Sequence, residues 1–420
     1  MSKDKTTLMP LIVKLRLELT DQQKQEYLEL MKLYAQLCNE HVQKAIEYNV
    51  FNQCGLYKYT YDVLRKSHSN ITSSLFTSAR MSVCNTFKGL HRRQKQVTNR
   101  VKWFTSRNKT VSHKLQKQHD KIMSVIPYFK DTSSISLSYG ISYDIHQSNR
   151  EMSIISLHKR LHVIYTACKR DVERLKTSQI FGDAHLVYNK NNDMFYLYVP
   201  VYVQKKQYID NNTMLGVDQG IENILTGSDG FNIKGENTWN HLKKIMTTRS
   251  RYQKVADDNG NRHATRKHAK KHLKQSSGRQ MRYINNQCHM FSKQLIQHCL
   301  DKGYSDIALE DLRGIKSKVK FRIKSLRKIL HKWPQAKLIK HILYKAELNG
   351  IKVTLVPPYH TSVTCYKCHS VYPNGRVTRS TFVCPKCGMV DADINAARNM
   401  IPLAYLLKKK NENKSKQIIA

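Results

Sequence analysis

The chain has 420 residues, 40% of them hydrophobic, and its 72 lysines and arginines against 31 aspartates and glutamates give a formal net charge of +41. The length excludes a single small domain and the apolar fraction suffices for globular folding, so we expect two to four domains. A charge this positive repels itself in a compact protein and indicates a polyanionic partner, with nucleic acid as the first candidate and a ribosomal or membrane-surface protein as the alternative.

The N-terminal sequence has no apolar core followed by a small-residue cleavage site, and no segment approaches the roughly 20 apolar residues that cross a bilayer. We therefore expect neither a signal peptide nor a membrane partner. Ten cysteines in such a chain indicate thiols and metal ligands rather than disulfides. Six of them are scattered and are expected in hydrophobic cores: Cys38, Cys54, Cys84, Cys168, Cys288 and Cys299.

The N-terminal half predicts a sheet that is interrupted by helices. A strand is expected over Leu8–Leu19, and Thr20 with Gln23 forms the capping-box pattern of an amphipathic helix that continues to about Tyr48. Beyond a long helical stretch, short β-rich runs predict a small barrel or sheet, with a hairpin turn over Asn189–Asp193. The isolated N-terminal strand could join this sheet.

The helical stretch continues to about Met123 and carries a basic run. Between Lys88 and Lys117 there are ten lysines and arginines, no acidic residue, and the aromatic pair Trp103 and Phe104. A solvated basic face is the alternative, but aromatics among cations favour phosphate contacts with base stacking. The candidate contacts are Arg92, Arg93, Lys95 and Trp103. For Trp103 and Trp333, a core position or a stacking platform is more plausible than a catalytic role.

From Asn212 onward, two strands are followed by alternating helices and strands, which predicts a mixed α/β sheet. One long basic helical segment is expected to reach Gly303; its part from Arg262 to Arg282 holds eight lysines and arginines, three histidines and no acid. A solvated helix is the alternative, but contact with a nucleic-acid backbone is favoured, with Arg266 and Lys270 as candidates. The charged tail after Leu407 is expected to be disordered.

Two CxxC pairs, separated by fifteen residues, form the strongest single motif: Cys365, Cys368, Cys384 and Cys387. This spacing matches a four-cysteine zinc site, in which each tight turn directs two thiolates to one tetrahedral Zn²⁺. Coincidental core cysteines are the alternative. Because four protein ligands leave no open position, the predicted zinc is structural.

Catalysis would then depend on carboxylates at the ends of separate elements of one sheet. Asp218 ends the strand LGVD, Glu310 ends DIALE, and Asp391 and Asp393 precede the helix INAARNM. Such acids can converge on divalent metal for phosphodiester cleavage. Taken singly, either aspartate could be only a helix N-cap, and Glu310 only a charge at a sheet edge.

The segments MLGVDQGI, IALEDLRGI and TSVTCYKC…FVCPKCGMVDADINAARNM, in this order, resemble the three RuvC motifs and the zinc ribbon of TnpB proteins. TnpB proteins are nucleases of bacterial insertion sequences, miniature type V CRISPR effectors descend from them, and eukaryotic Fanzor proteins belong to the same superfamily. The segment YKAELNGIKVTLVPPYHTSVTC resembles the family's approach to the ribbon. The match covers about Met214 to Met400, whereas the N-terminal half is similar only in organisation.

The resemblance implies an α+β multidomain fold: an RNase H-like (RuvC) mixed sheet with an inserted zinc ribbon, and an N-terminal wedge β-barrel interrupted by a helical recognition domain. The implied domains are a wedge barrel over 1–20 and 130–212, a recognition domain over 21–129, a RuvC domain over 213–361 and 389–407, a zinc ribbon over 362–388 and a disordered tail over 408–420.

The resemblance also assigns the site. Asp218, Glu310 and Asp393 become the catalytic acids that hold Mg²⁺ or Mn²⁺, and Asp391 becomes a neighbour. Arg398 is a candidate phosphate contact, with a surface arginine as the alternative. The sequence departs from the family at two places, where Gln219 replaces an apolar residue and His369 replaces a glycine. We expect Gln219 to point away from Asp218, and we expect the four thiolates to outcompete His369 for zinc.

The implied function is RNA-guided, metal-dependent cleavage of double-stranded DNA next to a short flanking motif, with guide RNA and target DNA as partners and one or two chains per RNA. The implied location is the cytoplasm of a bacterial or archaeal cell, near the nucleoid. Three alternatives stay open: a nuclease-inactive guided repressor, an unguided zinc-ribbon nucleic-acid binder or RNA chaperone, and a DNA-strand transferase on the same type of sheet.

Overall fold

The computed structural model describes residues 7–157, 159–180, 182–312, 335–358 and 360–419. The chain divides into two compact units, Met1–Gln204 and Lys205–Ala420. The proposed division into a wedge barrel, a recognition domain, a RuvC domain and a ribbon is finer than this and stays a prediction. Trp333, for which a core position or a stacking platform is expected, lies outside the described residues.

The described residues of the first unit form an antiparallel sheet and five helices. The strands are β1 Leu8–Glu18, β2 Ile135–Leu137, β3 Tyr143–His146, β4 Glu151–Ile155, β5 Arg160–Thr166, β6 Gln179–Ile180, β7 Ala184–Asn189 and β8 Met194–Gln204. The helices are α1 Asp21–Glu47, α2 Gln53–Ser67, α3 Ser73–Thr105, α4 His113–Met123 and α5 Lys169–Thr177. The strand order is β2-β7-β8-β1-β5-β4-β3, with β6 paired to β8.

Two sequence expectations for this unit are confirmed. The N-terminal strand joins the later strands, because β1 lies between β8 and β5 and pairs with both. The capping box is present, since the Thr20 hydroxyl accepts from the Gln23 backbone N–H and the Gln23 side chain accepts from the Thr20 backbone N–H. The apolar face of α1 is buried in the same core as the inward-facing residues of the sheet.

The second unit is built on a five-stranded mixed sheet. Its strands are β9 Met214–Asp218, β10 Asn223–Gly227, β11 Asn232–Lys234, β12 Asp306–Glu310 and β13 Lys352–Val356, in the order β11-β10-β9-β12-β13. Strands β9, β12 and β13 are parallel, whereas β10 and β11 are antiparallel to their neighbours. The predicted mixed sheet is confirmed, and the continuous apolar character of β9 and β12 follows from burial of both faces.

In the described residues of this unit, the helices are α6 Glu236–Asp257, α7 His263–Gln275, α8 Arg279–Lys302, α9 Gln335–Leu348 and α10 Ala392–Ile419. Between β13 and α10 lies the cysteine loop (residues 360–391), which contains the hairpin of β14 Thr381–Cys384 and β15 Gly388–Asp391. The loop is therefore inserted between the last strand of the sheet and the helix that carries Asp393, as the sequence predicts.

Two expectations for this unit are wrong. The basic segment is not one helix, because Gly278 adopts φ 72° and separates α7 from α8, a left-handed conformation that glycine reaches at little cost. The tail after Leu407 is not disordered, since α10 continues to Ile419. Lysine, glutamate and glutamine are good helix formers, and the Lys408 ammonium forms an ion pair with the buried carboxylate of Asp306.

The six scattered cysteines are not all in cores. Cys38, Cys84, Cys288 and Cys299 are buried as expected, but Cys54 and Cys168 are exposed. Both exposed cysteines lie at the beginnings of helices, Cys54 in the first turn of α2 and Cys168 as the residue that precedes α5.

Candidate active site and metal centre

Two of the predicted acids lie at one edge of the second sheet. Asp218 is the last residue of β9 and Glu310 is the last residue of the neighbouring parallel strand β12. Because parallel neighbours end at the same edge, both side chains face one cavity of about 500 Å³. Asp393 lines the same cavity, so the fold brings together the three acids that the sequence motifs indicate.

A close approach between β9 and α10 brings Asp393 to this edge. A Cβ atom on Gly216 would lie 1.9 Å from the Ala397 backbone oxygen, so only glycine allows the helix to pack at this distance. Ala396 and Ala397 are buried on the facing side of the helix. The small residues of INAARNM therefore set the separation between the strand that ends at Asp218 and the helix turn that carries Asp393.

Asp391 and Asp393, the two aspartates of the VDAD segment, form different hydrogen bonds. The Asp391 Oδ1 atom accepts hydrogen bonds from the backbone N–H groups of Asp393 and Ile394, each at 2.9 Å. This is the geometry of a helix N-cap. The Asp393 carboxylate instead accepts from Arg376 Nη2 at 2.8 Å and from Asn223 Nδ2 at 2.9 Å.

Two of the three carboxyls have strongly raised pKa values. Burial, followed by the charge of Asp393, raises the pKa of Asp218 to about 7, with the Arg376 guanidinium acting in the opposite direction. Burial and the charge of Asp218 raise the pKa of Glu310 to about 8. Acids held this close resist ionisation together unless a cation compensates their charge. Strongly perturbed groups in a cavity are typical of functional sites.

The donor atoms around the cavity are of the kind that a hard divalent cation binds. Asp218, Glu310 and Asp393 line it, and the buried Gln219 and Gln335 each have an amide oxygen with no hydrogen-bond partner among the described residues. The oxygens of the three carboxylates do not all lie within 4.8 Å of one another. Mg²⁺ and Mn²⁺ prefer such oxygen ligands. Asp218 and Gln219 both belong to the residues that line the cavity, and the expected direction of the Gln219 side chain away from Asp218 stays a prediction.

The cysteine loop gathers the four predicted thiols at one point. Within the described part of the chain, Cys365, Cys368, Cys384 and Cys387 are the one group of histidines, cysteines and acids whose ligand atoms all lie within 4.8 Å of one another. His369 is not in this group. The Cys368 and Cys384 sulfurs are 3.6 Å apart. Four thiols at this spacing fit a tetrahedral Zn²⁺ site.

The residues that follow the two CxxC pairs, His369 and Gly388, share a backbone conformation, which explains why glycine is expected at the position of His369. His369 adopts φ 57° and Gly388 adopts φ 81°, so both knuckles turn through the left-handed region. Glycine is favoured there because it has no Cβ atom. His369 retains the turn with its backbone, since its N–H donates to the Cys365 carbonyl at 2.9 Å.

Two asparagines that sequence reasoning did not single out fasten the cysteine loop to α10. Asn395 accepts from the Tyr366 backbone N–H at 3.0 Å and donates to the Thr364 carbonyl at 2.8 Å. Asn399 donates to the carbonyl of Thr361 at 3.0 Å. Both side chains are buried. The signal in the sequence is their spacing of four, which places two buried amides on one helix face.

Two arginines of the cysteine loop line the cavity of the acids. Arg376 pairs with Asp393, and Arg379 pairs with Glu222 across the cavity mouth. Arg398, a candidate phosphate contact, has partners within the fold: its Nε donates to the Ser228 carbonyl at 3.0 Å, and its guanidinium lies 4.5 Å from the Tyr366 ring centroid. A phosphate contact by Arg398 stays a prediction.

The other nucleic-acid candidates are distributed over the helices. Arg92, Arg93 and Lys95 are exposed on α3, and Lys270 is exposed on α7, whereas Arg266 is half-buried. Trp103 is 47% exposed, so it is not a core residue, and the Arg107 guanidinium lies 4.2 Å from its ring centroid. This surface has the cation and aromatic chemistry of a stacking site, and its use stays a prediction.

None of the helices in the described part of the chain combines the length and the apolar character that crossing a membrane requires.

The chain is similar to several known proteins. Residues 336–400, which include the four cysteines, Asp393 and both asparagines, match the family described as Cas12f1-like, TNB domain. The chain is 24% identical over 264 residues to the CRISPR-associated endodeoxyribonuclease Cas12f1 of Sulfoacidibacillus thermotolerans, covering 60% of this chain and 61% of the relative. It is 35% identical over 130 residues to the TnpB-like protein MJ0751 of Methanocaldococcus jannaschii, covering 30% and 45%.

The chain thus spans less than two thirds of the length of these relatives. Among solved structures, it is similar to CasPhi-2 (Cas12j) bound to crRNA and phosphorothioate-DNA, with a TM-score of 0.58, 9% identity, and coverage of 94% of this chain and 91% of that one. It is also similar to Cas12f1 in a complex with sgRNA and target DNA, with a TM-score of 0.51, 13% identity, and coverage of 94% and 99%. At these identities the likeness concerns the fold.

Proposed function

We propose that this chain, a member of the TnpB-like and miniature type V CRISPR effector superfamily, is an RNA-guided DNA endonuclease that cuts next to a short flanking motif. The observation that carries the proposal is the convergence of Asp218, Glu310 and Asp393 on one cavity beside the arginines of the cysteine loop. Relatives named as CRISPR-associated endodeoxyribonucleases support the reaction class.

In this proposal Asp218, Glu310 and Asp393 would hold Mg²⁺ or Mn²⁺, and the bound ion would supply Lewis-acid chemistry for hydrolysis of a phosphodiester. The protein contributes three carboxylates of fixed position, two of them at strand ends and one in the first turn of a helix. Arg376 supplies a positive charge at the same cavity, where it balances Asp393 and attracts the phosphate backbone. The positive charge of the cation would offset the repulsion between the three carboxylates, which favours its binding.

The four-cysteine group is assigned to a structural Zn²⁺ in a zinc ribbon. Four thiolates complete a tetrahedral ion and leave no open position for chemistry. Its proposed task is to hold Arg376 and Arg379 at the cavity, since both arginines lie in the loop between the two CxxC pairs. The buried amides of Asn395 and Asn399 connect this loop to the helix that carries Asp393.

The proposed partners are a guide RNA and double-stranded target DNA. A formal net charge of +41 exceeds what contact with one short duplex requires, whereas a structured RNA, a heteroduplex and a displaced strand together would use it. The exposed cations Arg92, Arg93 and Lys95 on α3 are proposed to contact RNA phosphates, within a recognition domain flanked by a wedge-like sheet.

The test is to purify the chain with its native RNA, sequence that RNA and redesign its guide segment. Cleavage should follow the redesigned guide, and RNase treatment before target addition should abolish it. RNA affinity should fall with salt by a log–log slope of about −0.7 to −0.9 per neutralised phosphate. Replacing Arg92, Arg93 and Lys95 with glutamine should flatten that slope. RNase-treated protein that still cuts a chosen sequence would contradict guidance and leave an unguided nuclease.

A further inference from the structure

The position after the first acid of the cavity carries a buried polar side chain. Gln219 follows Asp218 directly, is 8% exposed and lines the cavity with Asp218 and Glu310. An apolar residue there would be buried without any polar requirement. A buried amide in this place therefore needs a partner for each of its ends.

The hydrogen bonding fixes the orientation of the amide. Gln219 Nε2 donates to the Glu310 backbone carbonyl at 3.1 Å. A carbonyl oxygen only accepts, so the nitrogen of the amide must face it and the oxygen must face the other way. That oxygen, Gln219 Oε1, is buried, and no hydrogen-bond donor among the described residues reaches it.

A purely structural role for the amide is not required at this position. The Glu310 carbonyl also accepts from the Leu312 backbone N–H at 3.2 Å, so it keeps a partner without Gln219. Leucine has nearly the volume of glutamine and would bury without an unsatisfied oxygen. The cost of leaving Oε1 without a donor in the protein is explained if that oxygen binds something that enters the cavity.

We propose that Gln219 Oε1 is an additional oxygen ligand of the divalent cation held by Asp218 and Glu310. This inference rests on the proposed function, because it assumes the metal site of the nuclease. An amide oxygen is a ligand that Mg²⁺, Mn²⁺ and Ca²⁺ accept. Being neutral, it adds a ligand without adding a fourth negative charge to carboxylates that already repel one another. Its hydrogen bond to the last residue of β12 holds the ligand in place.

The test measures Mn²⁺ binding by zinc-loaded full-length protein with isothermal titration calorimetry, and thermal unfolding without added Mg²⁺ or Mn²⁺. Gln219→Leu should weaken Mn²⁺ binding about 10-fold or more, while its melting temperature without Mn²⁺ stays at or above that of the original chain. Gln219→Glu keeps an oxygen and should bind Mn²⁺ more tightly than Gln219→Leu. Gln287→Leu, whose amide accepts from Thr238 away from the cavity, is the matched control and should bind as the original chain does.

Each outcome separates the inference from the proposed function. If the original chain binds Mn²⁺ no better than a double variant Asp218→Ala/Glu310→Ala, the metal site itself is wrong. If the original chain binds but Gln219→Leu binds within twofold of it, the ligand role of Gln219 is wrong and the nuclease assignment stands. The ligand role is also overturned if Gln219→Glu binds no better than Gln219→Leu, or if Gln219→Leu melts lower without Mn²⁺ and loses binding in proportion.

Discussion

The Arg376 guanidinium donates a hydrogen bond to the Asp393 carboxylate at 2.8 Å, which ties the cysteine loop to the third acid of the cavity. The loop is also held at its other end, because Asn395, two residues beyond Asp393, binds the backbone of Thr364 and Tyr366. The cysteine loop and the first turn of α10 are therefore connected on both sides of Asp393. Zinc bound by the four cysteines would hold in place both Arg376 and the helix start that carries Asp393.

A first prediction concerns competition between Arg376 and the divalent cation. Both need the Asp393 carboxylate, so Arg376→Ala should bind Mn²⁺ more tightly, by about two- to fivefold, the range expected for a partly exposed ion pair. DNA cleavage should nevertheless fall, because a positive charge near the phosphate is lost. Calorimetry and cleavage rates on the same preparations provide the measurements.

The control for this prediction is Arg379→Ala. Arg379 pairs with Glu222, which is not one of the three acids, so its removal should leave Mn²⁺ affinity unchanged. Weaker Mn²⁺ binding by Arg376→Ala than by the original chain would show that the arginine supports the metal site and does not compete with the ion.

A second prediction concerns zinc. We expect one Zn²⁺ per chain, and Cys384→Ser should lose it, because small zinc ribbons derive about 10–16 kcal/mol of folding free energy from the metal. The variant should also lose Mn²⁺ affinity, since the unfolded loop no longer holds the start of α10, which presents Asp393. Cys54→Ser, at an exposed position, is the control. Fresh protein with less than half an equivalent of zinc would count against the assignment.

A third prediction concerns pH. The folded protein holds protons on Asp218 and Glu310 up to about pH 7 and 8, whereas the unfolded chain releases them near pH 4. Without Mg²⁺ or Mn²⁺, their contribution to stability is therefore complete below about pH 4 and is lost as the pH rises to about 8. Metal binding must displace these protons, so Mn²⁺ affinity should increase over the same range.

Melting temperatures of zinc-loaded protein between pH 5 and 8.5 provide the measurement. Asp218→Asn/Glu310→Gln removes both titrations and should show a flatter profile, which isolates these acids from the other titrating groups. Identical profiles for the two proteins, or Mn²⁺ affinity that does not rise with pH, would contradict the raised pKa values.

A fourth prediction concerns the contact between β9 and α10. Gly216→Ala places a Cβ atom against the Ala397 carbonyl, so the helix must move, at a cost of about 1–3 kcal/mol for overpacking. Mn²⁺ affinity should fall because Asp393 moves with the helix. Gly89→Ala is the control, because nothing lies within 4 Å of its added Cβ atom and alanine is the better helix former. Unfolding curves and calorimetry of both variants test this; unchanged Mn²⁺ affinity in Gly216→Ala would contradict it.

Local patterns in the sequence are sufficient to predict the strands and the cysteine motif that carry the site. Apolar runs of strand length predict β9 and β12 with their terminal acids, and the CxxC spacing predicts the four-thiol group that the structure assembles. The order of the RuvC-like motifs indicates which acids meet. These features depend on a few neighbouring residues, which is why periodicity and spacing reveal them.

The other features of the site depend on contacts between residues that are far apart in the sequence, so local patterns do not predict them. The ion pair of Arg376 with Asp393, the bonds from Asn395 to the cysteine loop and the approach of Gly216 to Ala397 become visible only once the helix lies on the sheet. The break between α7 and α8 at Gly278 is not predicted from the sequence, because the residues on both sides favour a helix and only this one residue has a positive φ.

The most direct test of the account compares single alanine variants of the four acids in the purified RNA complex. Asp218→Ala, Glu310→Ala and Asp393→Ala each remove a proposed metal ligand and not a DNA contact, so each should reduce cleavage by at least about 100-fold while target binding stays within twofold. Asp391→Ala removes only an N-cap, so it should cost about 1 kcal/mol of stability and retain cleavage. Normal cutting by Asp393→Ala together with an inactive Asp391→Ala would contradict the assignment of the third acid, and normal cutting by all three would contradict the active site itself.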